Sequence, residues 1–164
     1  MTMKFALSAA TLLLLAGCGS GNQNVTRTTV EKDGVKTVIE VSDPWCRATP
    51  NGARTAACYF TAESSTAERV TGVATPAASI AQLHEVAMTG GRAIMAEMPN
   101  GLPLPAGKSV ELKPGAGHVM LIELTGPLID GQTVELTLGF QGAPAMKVLA
   151  PVRLPDPDGD GESK

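Results

Sequence analysis

The sequence predicts an all-β fold, an antiparallel sandwich or barrel of about eight strands. Short runs rich in β-branched residues recur along the chain, and clusters of turn-forming residues separate them. The 18 glycines and 12 prolines among 164 residues favour many short elements joined by turns. Because no long stretch keeps an apolar period of 3.6 residues, we expect helices to be short or absent.

The first strand of the domain is predicted over residues 35–41, where apolar and polar side chains alternate. The dipeptide Asp33-Gly34 before it could close a hairpin with residues 25–30. Turn residues such as Pro50-Asn51-Gly52 and Gly90-Gly91 separate the strands that follow. These are predicted over residues 44–49, 55–62, 68–75, 80–87, 93–98, 109–113, 118–124, 132–139 and 145–153.

The N-terminal segment has the features of a secretory signal peptide, predicted over residues 1–17. Lys4 precedes an apolar run at residues 5–15 that is too short to span a bilayer. The run ends in Leu-Ala-Gly-Cys at residues 15–18, which resembles the lipobox of bacterial lipoproteins. This resemblance implies cleavage before Cys18 and a lipid on its sulfur, and the missing aspartate after Cys18 favours the outer membrane. The alternative is an ordinary signal peptide with a chance cysteine.

The mature chain is predicted to have three parts. Residues 18–34 form the lipidated N-terminus and a flexible polar tether, and residues 35–154 form the folded domain. Residues 155–164 are an acidic, disordered tail whose spaced aspartates resemble the start of an EF-hand loop, but the acid required at the twelfth position is missing. The net charge of −3 and the lack of a basic cluster argue against a nucleic-acid partner.

The chain has only two histidines, and both lie near methionines. His118 and Met120 are two apart in a predicted strand, so their side chains share one face of the sheet. His84 and Met95 flank Gly90-Gly91. If these glycines are a two-residue loop, Met95 pairs with a position two residues from His84, and both side chains lie on the same face.

Two imidazoles and two thioethers form a soft, uncharged donor set that is suited to Cu(I). Zinc more often recruits cysteine or carboxylate beside histidine. The alternative is that the methionines fill the core, as methionine usually does in β-proteins. Met88 at the turn and Met98, which has the opposite parity to Met95, are interpreted as core or rim residues, with Met88 a possible auxiliary donor.

The spacing of these residues resembles the signature of the periplasmic copper chaperones of the PCu(A)C type. That signature is H-x10-M, about 21 residues, then H-x-M; here 22 residues separate the pairs, and the extra one falls in the loop-rich "NGLPLPAGKSVELKPGAG". The stretches "VSDPWCRATPNGARTAACYF", "LHEVAM" and "PAGKSVELKPGAGHVML" are also similar to that family, and the likeness covers roughly residues 38–153.

The resemblance implies a cupredoxin-like β-sandwich with Greek-key connections that binds one Cu(I). It also implies delivery of copper to respiratory cytochrome c oxidase, at the dinuclear copper centre of subunit II, directly or through an assembly factor. The implied copper ligands are His84, Met95, His118 and Met120.

Cys46 and Cys58 fall in neighbouring predicted strands, and in an oxidising compartment they are expected to form a disulfide. The alternative is two buried free thiols, since cysteine packs as a small apolar group.

The functional hypothesis is a lipid-anchored metallochaperone on the periplasmic side of a bacterial cell envelope, with a monomeric domain that passes Cu(I) on by ligand exchange. One alternative is a lipoprotein that buffers copper without a dedicated oxidase acceptor. An electron-transfer cupredoxin is disfavoured because no cysteine accompanies the histidine–methionine pairs. Catalysis is not expected, since the sequence has no Ser/His/Asp pattern or phosphate-binding loop.

Overall fold

The computed structural model describes residues 24–154, and the regular structure in this range consists of strands. The predicted signal peptide, the predicted lipidation site Cys18 and the acidic tail lie outside the described residues. Residues 24–154 contain no helix long and apolar enough to cross a membrane. The all-β prediction is confirmed. The strands are β1 (Thr26–Lys32), β2 (Val35–Arg47), β3 (Thr55–Ser64), β4 (Glu68–Ala74), β5 (Ala78–Thr89), β6 (Arg92–Glu97), β7 (Leu102–Leu104), β8 (Ser109–Glu111), β9 (His118–Leu124), β10 (Thr133–Phe140) and β11 (Met146–Arg153).

The strands form one hydrogen-bonded path in the order β6-β5-β9-β3-β2-β11-β10-β4-β7, with β1 added to β2 and β8 added to β3. Several neighbours in this path are far apart in the sequence, as Greek-key connections require. Most pairs are antiparallel. The exception is a short parallel pairing of β11 with β2, at Val152 opposite Cys46, which joins the two halves of the sandwich.

Strands β10 and β11 show how the sequence pattern produces the core. Their buried and more exposed residues alternate, because successive side chains of a strand point to opposite faces. The buried set meets the apolar faces of β2, β3 and β9 in one core. Burial of these apolar side chains is the main term that stabilises the sandwich. On β10 and β11 the buried residues are Val134, Leu136, Leu138, Phe140, Met146, Val148, Ala150 and Val152.

Strand β2 differs from the prediction, which placed separate strands at residues 35–41 and 44–49. The structure has one strand with a register shift between Ser42 and Trp45. Asp43 adopts a left-handed φ of 48° there. A β-bulge places an extra residue in the strand and bends it without ending the pairing. Pairing then resumes at Trp45, whose ring centroid lies 4.6 Å from that of Tyr59 on β3.

The flexible tether predicted over residues 18–34 is wrong for residues 26–32, because these residues form β1. Asp33 and Gly34 both have positive φ and close the hairpin that pairs β1 with β2 along its whole length. Arg27 and Glu40, which are cross-strand partners, add an ion pair. The hairpin that Asp33-Gly34 could close with residues 25–30 is therefore present, and its hydrogen bonds to β2 hold this polar segment in the sheet.

Strand β7 was not predicted. It has three residues, Leu102–Leu104, with a proline in the middle, and it pairs with β4 at the edge of the sheet. An edge strand tolerates proline because one of its sides needs no ladder hydrogen bonds. The two leucines are buried, so core packing holds this short strand in place.

A disulfide joins Cys46 of β2 to Cys58 of β3, which are directly opposite each other in the ladder. Both residues are completely buried. In β9, the residue paired with Cys58 is Val119, which lies between His118 and Met120. The disulfide therefore lies on the core side of the sheet that carries the two predicted ligands on its opposite face.

Candidate metal centre

The β5–β6 hairpin sets the positions of His84 and Met95. Gly90 and Gly91 form its turn, and both have a positive φ, 59° and 78°. Two successive left-handed residues are what a type I′ turn requires, and its twist suits a two-residue hairpin. The resulting register places His84 opposite Glu97 and Val86 opposite Met95. The predicted register is confirmed, and His84 and Met95 share a face of the sheet.

Strand β9 brings the second pair of residues to the first. It lies between β5 and β3, with His118 directly opposite His84 and Met120 opposite Gln82. The ring centroids of His84 and His118 are 5.6 Å apart and their planes are tilted by 53°. Residues that face each other across a ladder lie on the same face. The four side chains of His84, Met95, His118 and Met120, here called the His–Met cluster, therefore lie on one face of three adjacent strands.

Exposure increases from one side of the His–Met cluster to the other. His118 is buried, with 6% of its surface accessible, whereas Met95 is 66% exposed. His84 and Met120 are half-buried. An open cleft of about 410 Å³ lies over this face, and Met95, His118 and Met120 line it. The cluster thus has a buried end at His118 and a solvent-facing end at Met95.

The hydrogen bonds of His84 leave one of its ring nitrogens free to bind a ligand. Its Nε2 lies 3.2 Å from Oε1 of Gln82. Its Nδ1 is buried and has no hydrogen-bond partner among the described residues. A buried polar atom without a partner is costly, so this nitrogen is suited to a ligand that would complete its coordination.

In His118 the hydrogen-bonded ring nitrogen is Nδ1, whereas in His84 it is Nε2. Nδ1 of His118 lies 3.3 Å from the carbonyl oxygen of Ala116. Because a carbonyl oxygen only accepts, Nδ1 carries the proton in this bond, and Nε2 of the neutral ring keeps its lone pair. A metal-binding histidine commonly donates its other ring N–H in this way, which fixes the ring and its tautomer.

The environment of His84 favours the neutral form of its ring. Burial lowers the pKa of His84 from its ordinary 6.5, and the neighbouring His118 lowers it further, while the Glu97 carboxylate opposes both effects. Desolvation disfavours the charged imidazolium, and a second imidazolium nearby would repel it. A neutral ring is the form that binds a metal ion.

The chemistry of the donor atoms determines which metal ion the site favours. Within residues 24–154 no group of three or more histidine, cysteine, aspartate or glutamate side chains is arranged to hold a metal. The His–Met cluster combines two imidazoles with two thioethers. Thioether sulfur is soft and uncharged, so the set suits Cu(I) better than hard divalent ions.

Two further methionines lie near the cluster and differ in their surroundings. Met98 is partly buried and packs against the core, in agreement with its interpretation as a core or rim residue. Met88 is 69% exposed and lies on the same face as Met95, diagonally across the ladder. The sequence did not single out Gln82, since only the pairing of β5 with β9 shows that it lies beside both His84 and Met120.

Comparisons with known proteins agree with this fold. The family model described as "Putative lipoprotein LpqE-like" matches residues 39–152. The chain is 35% identical over 146 residues to the "Putative lipoprotein Lxx21020" of Leifsonia xyli subsp. xyli, covering 88% of this chain and 86% of that protein.

Among solved structures, the solution structure of CuI-DR1885 from Deinococcus radiodurans is 33% identical, with a TM-score of 0.55 over 67% of this chain and 74% of that chain. The copper-bound PCuAC domain from PmoF2 is 24% identical, with a TM-score of 0.60 over 79% of this chain and 99% of that chain. The cupredoxin-like fold and the resemblance to PCu(A)C-type domains are thereby confirmed.

Proposed function

The chain belongs to the family described as "Putative lipoprotein LpqE-like", and we propose that it is a Cu(I)-binding metallochaperone of the cell envelope. One observation carries the proposal: two imidazoles, each with one ring nitrogen left for a ligand, lie beside two thioethers on the same face of the sheet. The likeness to CuI-DR1885, a structure named for Cu(I), supports Cu(I) as the cargo.

The exposure gradient of the His–Met cluster supports transfer of the ion. Buried His118 would hold Cu(I) at the inner end, and exposed Met95 would be the donor that an incoming ligand replaces first. A thioether is neutral and carries no proton, so it leaves Cu(I) without taking up a proton, and the ion is passed on without a change of oxidation state. The role requires no catalysis, and we propose none.

We propose that the acceptor is the dinuclear copper centre of cytochrome c oxidase subunit II. The resemblance to PCu(A)C chaperones supports this choice. We also propose that Cys18 carries the lipid and holds the domain on the periplasmic side of the envelope, at the outer membrane. Membership in a family of lipoproteins supports the anchor.

The test mixes the Cu(I)-loaded protein, without oxygen, with a copper-free oxidase subunit II domain whose cysteines are reduced. The two proteins are then separated and the copper on each is measured. We expect the acceptor to take up copper faster from this protein than from a small chelator of equal Cu(I) affinity. The reason is that a docked donor exchanges ligands without releasing the ion into solution.

Retention of copper by the chain, with an acceptor that takes up Cu(I) from the chelator, would instead indicate a copper buffer without a dedicated acceptor. A His118→Ala variant is the control, because it lacks the buried imidazole. It should load with much less copper than the wild type and therefore deliver less to the acceptor.

A further inference from the structure

Gln82 lies beside the His–Met cluster, in contact with His84, although it is not one of the predicted ligands. It is on β5, two residues before His84 and on the same face, and it is directly opposite Met120 on β9. Its side chain is half-buried. Its Oε1 atom is 3.2 Å from Nε2 of His84. Gln82 is therefore placed to affect how His84 binds an ion.

The hydrogen bond assigns the proton of the His84 ring. With the amide oriented as in the structure, its oxygen Oε1 faces Nε2 of His84 and can only accept, which requires the tautomer with the proton on Nε2. A neutral imidazole has one ring proton, and the lone pair is then on Nδ1. This is the atom that is buried without a hydrogen-bond partner among the described residues.

We propose that Gln82 is a positioning residue that makes His84 bind Cu(I) through Nδ1, an inference that rests on the proposed function. The carbonyl oxygen of Ala116 acts in the same way on His118, but from the opposite nitrogen. The two rings therefore bind one ion through different atoms, Nδ1 of His84 and Nε2 of His118. A side chain acts on one ring and the main chain on the other, so the arrangement at His84 can be changed by substitution.

The experiment compares three variants with the wild-type protein. Gln82→Leu removes the acceptor while keeping a side chain of similar size, and Gln82→Glu keeps an acceptor in its place. Gln141→Leu is the matched control, since it makes the same exchange at an exposed position after β10. The amide spectrum of each variant shows whether the sandwich is folded.

The first measurement uses the copper-free protein at a pH where both histidines are neutral. Long-range ¹⁵N–¹H NMR spectra identify which ring nitrogen carries the proton. We expect His84 to be protonated at Nε2 in the wild type, in Gln82→Glu and in Gln141→Leu, and to become a mixture of tautomers in Gln82→Leu. A wild-type His84 protonated at Nδ1, or an unchanged tautomer in Gln82→Leu, would overturn the inference.

The second measurement is Cu(I) affinity, obtained by competition with a chromogenic chelator. Loss of a partner that orients a metal ligand typically costs 10–100-fold in affinity. We expect Gln82→Leu to weaken binding by about tenfold, and Gln141→Leu to leave it unchanged. A changed tautomer with an unchanged affinity would show that Gln82 does not position His84 for copper. Failure of the wild type to bind Cu(I) would refute the proposed function, and the tautomer result would still stand by itself.

Discussion

Met95 and Met98 lie close together in the sequence but in different surroundings. Met95 is on β6, on the face that carries His84, and is 66% exposed. Met98 follows the end of β6 and packs against the core, with its backbone N–H bonded to the carbonyl oxygen of Leu83. The two residues form a matched pair for a test of which thioether binds copper.

Met95→Leu should weaken Cu(I) binding by at least about tenfold, because the substitution removes the sulfur donor and keeps a similar side-chain volume. The same change at position 98 should leave affinity unchanged and lower the free energy of unfolding by less than about 1.5 kcal/mol. Chelator competition and urea unfolding measure the two quantities. A greater loss of affinity from Met98→Leu than from Met95→Leu would assign the wrong methionine to the site.

The acid–base behaviour of His84 gives a second prediction. Burial and the nearby His118 lower its pKa below 6.5, while the unfolded chain keeps the ordinary value. Just below pH 6.5 the native state therefore binds fewer protons than the unfolded state, and His84 makes the copper-free domain less stable as the pH falls. An NMR titration of the His84 ring should give a midpoint below 6.5.

Glu97→Gln is the control for this titration, because the Glu97 carboxylate is the group that raises the pKa of His84. The variant should titrate at a lower pH than the wild type. A midpoint above 6.5 in the wild type, or an upward shift in Glu97→Gln, would contradict the assigned electrostatics.

At the scale of single residues, the sequence identified all four members of the His–Met cluster, because two histidines beside methionines are rare enough to attract attention. Its assignment of copper to them stays a prediction. Gln82 could not be identified in this way. A glutamine in a strand has no distinctive pattern, and its importance follows from a neighbour on β9 that is far away in the sequence.

The β5–β6 hairpin is the element on which the position of Met95 depends. Its turn needs two left-handed residues, which Gly90 and Gly91 supply without steric cost. A β-branched residue in that conformation is strained, at a cost of roughly 1–2 kcal/mol. The turn therefore links a local backbone requirement to the geometry of the site.

Gly91→Val should destabilise the hairpin and weaken Cu(I) binding, because β6 would no longer hold Met95 on the face of His84. Gly90→Asn should leave both unchanged, since Asn-Gly also forms type I′ turns. Amide hydrogen exchange in β6 and chelator competition measure the two effects. Full Cu(I) affinity in Gly91→Val would show that the turn does not position the site.

Prediction of the elements was best where local chemistry decides the structure. The Gly90-Gly91 turn determined the register of its hairpin. Prediction failed at β2, where a bulge joins two expected strands, and at β7, a three-residue strand that contains Pro103. Both features depend on neighbouring strands and core packing, which local propensity does not describe.

At the scale of the whole molecule, the site exists because β9 lies between β5 and β3. The chain between β6 and β9 first adds β7 to β4 and β8 to β3, and then returns to place His118 opposite His84. Pairing between strands that are far apart in the sequence depends on the burial of one shared core. The sequence could therefore predict each histidine–methionine pair, but not that the two pairs lie side by side. The resemblance to PCu(A)C proteins supplied that step.

The position of the disulfide also follows from the pairing of strands around the core. Cys46 and Cys58 cross-link β2 and β3 on the core side, and Ala57, the neighbour of Cys58, pairs with Met120. The core face thus carries the buried apolar side chains and the cross-link, while the opposite face carries the His–Met cluster. The stabilising core and the candidate metal site therefore lie on opposite faces of the same strands.

The most direct test of the central claim is X-ray absorption spectroscopy of the protein loaded with one equivalent of Cu(I). The account predicts one copper per chain with two nitrogen and two sulfur neighbours, and loss of one nitrogen contribution in any copper that His118→Ala retains. A copper environment made only of nitrogen and oxygen, or one identical in wild type and His118→Ala, would contradict it.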